Sequence, residues 1–275
     1  MKHLKVGLQL YGVRQALTED MDAALSQVKA MGYDCVEFSG GRYGRTAAET
    51  RALLDKHGLT CVSVHQSPSF FENDPADAVD YVKTLGAKFC VIPVVRLPAY
   101  LENWDGTIAL FQKMVAAFRE AGIALLYHNH DHEVGCLPGD CVPLLDRILE
   151  AVPGLEPEFD TCWLSYGGAD PVSYIEKYAP RLDVVHLKDY RCDDLPPEPR
   201  WLQLEKGMEK PQKRSQVGFR YVPVGMGVER WQAILDAIRG SRAEFVVVEQ
   251  DESKERSPLE AARMSRDFLR TTFGI

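Results

Sequence analysis

Leu125-Leu126-Tyr127-His128-Asn129-His130-Asp131-His132-Glu133 is the stretch on which the fold turns. It continues an apolar run, Gly122-Ile123-Ala124-Leu125-Leu126, and breaks off in three imidazoles and two carboxylates. Side chains alternate across a strand, so a strand here sends His128 and His130 out on one face. Ionisable groups at the end of a buried strand are costly unless something uses them. In an α/β barrel the carboxyl ends of the strands are where chemistry sits.

Strand and helix signals alternate on both sides of this stretch. Upstream, strands are expected at Leu4 to Leu10, Cys35 to Phe38, Leu59 to His65 and Lys88 to Ile92. Helices are expected from about Asp20 to Met31, Ala47 to His57, Asp74-Pro75 to Leu85, and from the cap Asp105 to Ala121. Glycines 32, 58, 86 and 122 close these helices. Downstream, Gly139-Asp140 leads into a helix ending near Val152-Pro153, and Leu155 to Asp160 is the sixth strand. Asp170-Pro171 opens the next helix, and Leu182 to Leu187 is the seventh strand. A long polar loop, Tyr190 to Val222, interrupts the rhythm. Val228 to Arg239 is read as helix, Phe245 to Glu249 as the eighth strand, and Pro258 to about Thr271 as the closing helix.

Eight strand–helix pairs spaced by about 30 residues predict a parallel sheet with crossover helices. Eight strands close into a (β/α)8 TIM barrel, here a single domain over residues 1–275 with the loop 190–222 over its mouth. The first turn, Leu10-Tyr11-Gly12-Val13-Arg14, lacks the G-x-G-x-x-G of a dinucleotide site, which disfavours the doubly wound alternative.

The 275 residues are 45% apolar and 26% charged, ordinary for a globular chain, and the net charge of -8 opposes nucleic-acid binding. Basic residues between Lys206 and Arg214 are interleaved with Glu209, as expected for a solvated loop. Seven cysteines without a C-x-x-C pair suit a reducing cytoplasm. Met1-Lys2-His3-Leu4-Lys5 runs into a strand without a hydrophobic signal, and no apolar run approaches the ~18 residues of a membrane helix. The expected partner is a small molecule, with the long loop able to cover the mouth or reach a second subunit of a homo-oligomer.

The expected strand ends converge on one mouth. Strand two offers Glu37, strand three His65, strand five His128 and His130, strand six Glu158 and Asp160, strand seven His186 and Lys188, strand eight Glu249 and Asp251. Asp160, His186 and Glu249 each follow an apolar run; with a second imidazole from strand five they make a mixed N/O site for a divalent ion. Nitrogen ligands shift the preference from Mg²⁺ toward Mn²⁺, Co²⁺, Fe²⁺ or Zn²⁺. The alternative is a set of buried ion pairs holding the mouth together. Lys188 is read as an oxyanion ligand or an acid, or else as a partner of Asp189 or Glu158. Glu37, His65 and Glu158 are candidate substrate contacts, with structural pairing the alternative for Glu37 and a bond to a neighbouring carbonyl the alternative for His65. Trp163 and Tyr11 are candidate apolar walls for a sugar ring, with plain packing the alternative. His132 is expected behind the site or in solvent, and Glu133 either orients a histidine or is a solvated loop residue. His3 and His57 are given no role. Gly225-Met226-Gly227 is read as opening a helix and is only a weak phosphate cradle.

The sequence resembles the sugar phosphate isomerase/epimerase superfamily, the xylose-isomerase-like barrels, from Leu8 to Leu269. The residues that carry the resemblance are Tyr127-His128-Asn129-His130, Phe159-Asp160-Thr161, Val185-His186-Leu187-Lys188-Asp189 and Val248-Glu249-Gln250-Asp251. It implies a divalent ion, often Mn²⁺, held at the positions of His128, Asp160, His186 and Glu249. Many members carry glutamate where this chain has His128, and in the ketose epimerases two metal-bound glutamates also move the substrate proton. The replacement makes His130 the better candidate base beside Glu249. The segment His186 to Asp189 is similar to that of inosose dehydratases. The resemblance therefore implies a metal-dependent isomerase or epimerase of a sugar or keto-sugar. A lyase acting on an inosose or a 3-keto-glycoside is the alternative. An apurinic endonuclease is opposed by the acidic charge, and a non-catalytic sugar-binding barrel would hold no metal.

Overall fold

The computed structural model describes residues 2–137, 139, 141–193 and 214–275. Eight strands form a closed parallel barrel: β1 (Lys5–Gln9), β2 (Cys35–Phe38), β3 (Thr60–His65), β4 (Phe89–Ile92), β5 (Ala124–His128), β6 (Leu155–Asp160), β7 (Val184–Leu187) and, after a short hairpin, β10 (Phe245–Val248). The expected barrel is present, and each of the eight expected strands has its counterpart. The hairpin was not expected. β8 (Asp189–Arg191) pairs antiparallel with β9 (Arg220–Val222), so the segment read as loop is a strand at each end. The expected lid over residues 190–222 otherwise falls outside the described residues between 194 and 213.

Alternation along the strands divides the core in two. Outward residues such as Val6, Val36, Val64, Phe159 and Val185 pack under the helices. Inward residues Cys35, Val62, Phe89, Leu126, Val184 and Phe245 plug the barrel interior. Two residues further along β5 and β7 the same face carries His128 and His186, so the apolar plug is the floor of the polar mouth. No helix among the described residues is long and apolar enough to cross a membrane.

The main helices are α1 (Arg14–Ala30), α2 (Ala47–His57), α4 (Pro75–Leu85), α6 (Trp104–Glu120), α7 (Leu144–Ala151), α9 (Pro171–Lys177), α10 (Trp231–Gly240) and α11 (Pro258–Phe273); α3 (Pro68–Asn73), α5 (Leu97–Glu102) and α8 (Thr161–Tyr166) are single short turns. α1 breaks at Asp20, whose φ of -155° is not helical and whose carboxylate accepts the Ala23 N–H at 3.0 Å. The expected helix start near Asp20 is thus a real cap, preceded by an unexpected turn. α6 is capped by Asn103 rather than by Asp105, because Asn103 accepts the Gly106 N–H.

Asp189 explains the glycines near residue 225. Its carboxylate accepts the backbone N–H groups of Tyr190, Gly225, Gly227, Val228 and Glu229 and the indole N–H of Trp231, at 2.9–3.3 Å. The N–H cradle expected as a weak phosphate site is filled by the chain's own carboxylate, and α10 begins later, at Trp231. A Cβ on Gly227 would lie 1.9 Å from Asp189 Oδ1. Gly227→Ala should therefore lower the unfolding free energy by about 2–3 kcal/mol, through overpacking and lost hydrogen bonds. Denaturant titration checks this, and an unchanged midpoint would remove the close approach.

Candidate active site

The strands place their terminal side chains in register. Asp160 pairs with His186 across β6 and β7, and His128 with Glu158 across β5 and β6. His128, Asp160, His186 and Glu249, all buried, bring one ligand atom each within 4.8 Å of one another. His186 Nδ1 lies 2.9 Å from Glu249 Oε2, and His128 Nε2 lies 3.9 Å from Asp160 Oδ2. The sequence singled out this set, and the fold assembles it from four strands. Asp160 Oδ2 is fully buried and faces the Lys188 ammonium at 3.0 Å, while Asp160 Oδ1 accepts the Trp163 N–H at 2.9 Å. Two buried imidazoles and two buried carboxylates suit a divalent ion of the Mn²⁺-to-Zn²⁺ kind.

Lys188 takes none of the partners expected for it. Its ammonium, 1% exposed, sits 3.0 Å from Asp160, 2.9 Å from Glu249 and 3.3 Å from Asp251. Successive residues point to opposite faces, so Asp189 is turned out of the barrel toward Gly225 and Gly227 while Lys188 is turned in. Burial opposes its charge, but the three carboxylates hold Lys188 well above its ordinary pKa. Burial raises Asp160 to about 6 against the pull of Lys188. Glu249, despite burial, is held well below the usual carboxylate range by Lys188 and His186.

Glu37, His65 and Glu158 are buried against one another, the structural pairing that was the alternative to substrate contact for Glu37. His65 Nε2 lies 2.9 Å from Glu37 and 3.0 Å from Glu158, and His186 Nε2 lies 2.8 Å and 3.1 Å from the same two oxygens. Glu158 precedes Asp160 by two residues on one strand, hence one layer deeper on the same face. Gln9 and Ser63 from the flanking strands donate to Glu37. Burial opposes it, but Glu37 and Glu158 raise the pKa of His65 to about 10 and hold His186 well above its ordinary value. His128, by contrast, is lowered well below its ordinary value by burial and by the neighbouring imidazoles.

His130 leaves the strand at the mouth. Its ring stacks on Trp163 at 5.4 Å, its Nδ1 is buried without a partner, and burial pushes its pKa down to about 3. Glu133 orients it through the backbone, accepting the His130 N–H at 2.8 Å and the Tyr127 hydroxyl at 2.7 Å. The solvated-loop alternative for Glu133 therefore fails. His132 lies behind the site, its Nε2 2.9 Å from Val95 O and 3.1 Å from Glu133. Burial opposes it, but Glu133 raises His132 to about 9. A pKa raised above the ordinary ~6.5 adds stability that is complete below pH ~6.5 and lost as pH rises through about 9. His132→Gln should flatten the fall in melting temperature over that window. A slope that persists in the variant assigns it elsewhere.

Trp163 is not an open wall. It is 1% exposed, stacked on Phe219 at 5.9 Å, edge-on to Tyr221, and covered by the Arg214 guanidinium 4.1 Å above the ring. Arg214 is anchored in turn to Asp131 at 3.1 Å. This roof, built from residues 214 to 221, escaped the sequence reading, although the alternation Phe219-Arg220-Tyr221-Val222 is a strand signal. Tyr11 stands exposed after β1, with the Arg14 guanidinium 4.0 Å over its ring. Asp251 was visible at the end of the eighth strand but was not assigned a role; the structure gives it the Lys188 ammonium. A cleft of about 390 Å³ beside the roof is lined by Arg214, Phe219, Tyr221, Gln250, Lys254 and Arg256.

Residues 25–272 match the family model described as xylose isomerase-like TIM barrel. The chain is 25% identical over 200 residues to an inosose dehydratase of Geobacillus kaustophilus, a match spanning 63% of each protein. A sugar phosphate isomerase/epimerase from Parabacteroides distasonis superposes with a TM-score of 0.78 at 21% identity over 99% of both chains. The IOLI protein, solved with a zinc atom, superposes with a TM-score of 0.68 at 13% identity over 99% of this chain and all of that one.

Proposed function

The chain belongs to the xylose isomerase-like TIM barrel family, and from that premise we propose that it is a divalent-metal enzyme that removes the proton next to the carbonyl of a sugar or keto-sugar. The observation that carries this reading is the buried group His128, Asp160, His186 and Glu249 at one barrel mouth. These residues would hold the ion, Mn²⁺ or a relative. When bound, it supplies Lewis-acid stabilisation of the negative charge that develops on the carbonyl oxygen. His130, neutral and with a free buried Nδ1, accepts the carbon-bound proton. Arg214 and Trp163 exclude water above it. Entry is from the cleft beside the roof, where Gln250, Lys254 and Arg256 offer polar contacts to hydroxyl groups.

Return of the proton to a neighbouring atom or to the opposite face gives isomerisation or epimerisation. Loss of a β-hydroxyl gives dehydration. Lys188 favours dehydration: the mouth pairs one proton-accepting imidazole with one ammonium beside Asp160 and Glu249 that can hydrogen-bond a departing hydroxyl, whereas epimerisation calls for two like groups on opposite faces. The relative named inosose dehydratase agrees with this outcome, and the isomerase or epimerase outcome shares the first step. The test is incubation of Mn²⁺-loaded protein with a panel of inososes and keto-sugars in deuterated water, with product analysis. Deuterium in recovered substrate with loss of water marks the dehydratase, and deuterium with a rearranged sugar marks the isomerase or epimerase. Absence of exchange throughout the panel, with the ion bound, overturns the reading.

A further inference from the structure

His128 and His186 each show one ring nitrogen to the mouth and the other to the barrel interior. Toward the mouth, His186 Nδ1 faces Glu249 and His128 Nε2 faces Asp160. Toward the interior, His186 Nε2 faces Glu37 and Glu158, and His128 Nδ1 faces Glu158 at 3.4 Å. His65, His128, Glu158 and His186 thereby form a second buried group whose ligand atoms all lie within 4.8 Å of one another. We infer that the barrel has a second, deeper cation position, formed by His65 Nε2, His128 Nδ1, Glu158 and His186 Nε2, which a divalent ion occupies as an alternative to the mouth position.

Three observations carry this. The first is the absence of alignment. His186 Nε2 approaches two carboxylate oxygens at 2.8 Å and 3.1 Å without an aligned hydrogen bond to either, His128 Nδ1 is likewise buried without one, and His65 Nε2 reaches the same Glu158 oxygen at 3.0 Å. Close approach without alignment is the geometry of donors aimed at a common centre. Ligand bonds of about 2.0–2.2 Å at tetrahedral angles put neighbouring donor atoms roughly 3.3 Å apart, close to the separations here. The second is charge. The Lys188 ammonium already lies between Asp160 and Glu249 at the mouth, whereas the deeper carboxylates meet imidazoles and, at Glu37, the neutral donors Gln9 and Ser63. The third is chemistry: three imidazoles and one carboxylate form a more nitrogen-rich set than the mouth offers, favouring Zn²⁺ or Co²⁺ over Mn²⁺. A neutral imidazole has one lone pair, so each shared histidine serves one position at a time and the two positions exclude each other.

The inference rests on the barrel holding a divalent ion, as the proposed function does, but not on the reaction that follows. Its test is titration of the metal-free chain with Co²⁺, reading stoichiometry by calorimetry and coordination from the visible spectrum. The proteins are wild type, Asp160→Asn, His65→Gln and the double variant, each checked for fold by circular dichroism. Wild type should bind one Co²⁺, and each single variant should still bind one, weakened by less than about tenfold. Asp160→Asn should show the stronger absorption of a tetrahedral, nitrogen-rich site. The double variant should lose at least about a hundredfold in affinity. Loss of Co²⁺ in Asp160→Asn alone, or a double variant no weaker than Asp160→Asn, overturns the deeper position and leaves the mouth position standing. Loss of Co²⁺ in His65→Gln alone upholds the deeper position and overturns the mouth ligand set. Wild type that binds no Co²⁺ overturns both.

Discussion

His130→Ala should slow proton exchange at the substrate carbon by about a thousandfold while the protein still binds its ion. Removing a positioned general base typically forfeits a factor of ~10²–10⁴, and His130 belongs to neither group of candidate ligands. Its ring is held on Trp163, its backbone is tied down by Glu133, and its Nδ1 has no partner, so it is free to take a proton without breaking a bond. Burial lowers its pKa to about 3, which keeps it in the accepting form at every working pH. The acid limb of the kcat/KM profile should then come from other groups and survive in His130→Gln. A base this weak acts only on a proton already made acidic by charge stabilisation at the neighbouring carbonyl oxygen. Metal-free protein should accordingly show no exchange, with or without His130. Exchange in loaded His130→Ala at the wild-type rate would leave Glu249 as the base and sink the assignment.

The strands were legible because a buried parallel strand leaves a plain trace, a short β-branched run closed by a turn. Cys35 to Phe38 and Leu155 to Asp160 were read with the bounds they have in the structure. The phase of two along each strand also showed which terminal residues share the interior, and the family resemblance picked His128, Asp160, His186 and Glu249 from among them. Partners across strands were not legible. That Lys188 meets Asp160 and Glu249 depends on the stagger of β6, β7 and β10, and nothing local to Lys188 encodes it. The same limit hid the depth of Glu37 and Glu158, whose positions one and two residues before their strand ends read the same for a substrate contact as for a buried partner. Short helices such as α3 and α8, six residues each, are too brief for a periodicity to register. The cover over Trp163 was not legible because it comes from Arg214, Phe219 and Tyr221, about fifty positions later, and nothing local to Trp163 encodes that contact.

Lys188→Gln should have two separable effects, one on stability and one on the fate of the intermediate. In the metal-free protein the ammonium is the only lysine or arginine group among the described residues that lies between Asp160, Glu249 and Asp251. Its removal leaves buried carboxylates facing one another, and breaking a buried pair costs about 3–5 kcal/mol. Protonation of Asp160, already raised to about 6, recovers part of that at low pH, so the loss should be larger at pH 8 than at pH 5. The ammonium also competes with a divalent ion for the same oxygens, so Mn²⁺ should raise the melting temperature of the variant more than that of wild type. An unchanged metal-free melting temperature would contradict a compensated buried cluster. On the chemical side, an ammonium that protonates a departing hydroxyl is not needed to open the reaction at carbon. The variant should therefore keep deuterium exchange within about tenfold and lose water elimination by a hundredfold or more, in line with the usual contribution of a positioned acid. Exchange and elimination that fall by the same factor would make Lys188 a group that positions Asp160 and Glu249, and would return the balance to isomerisation or epimerisation.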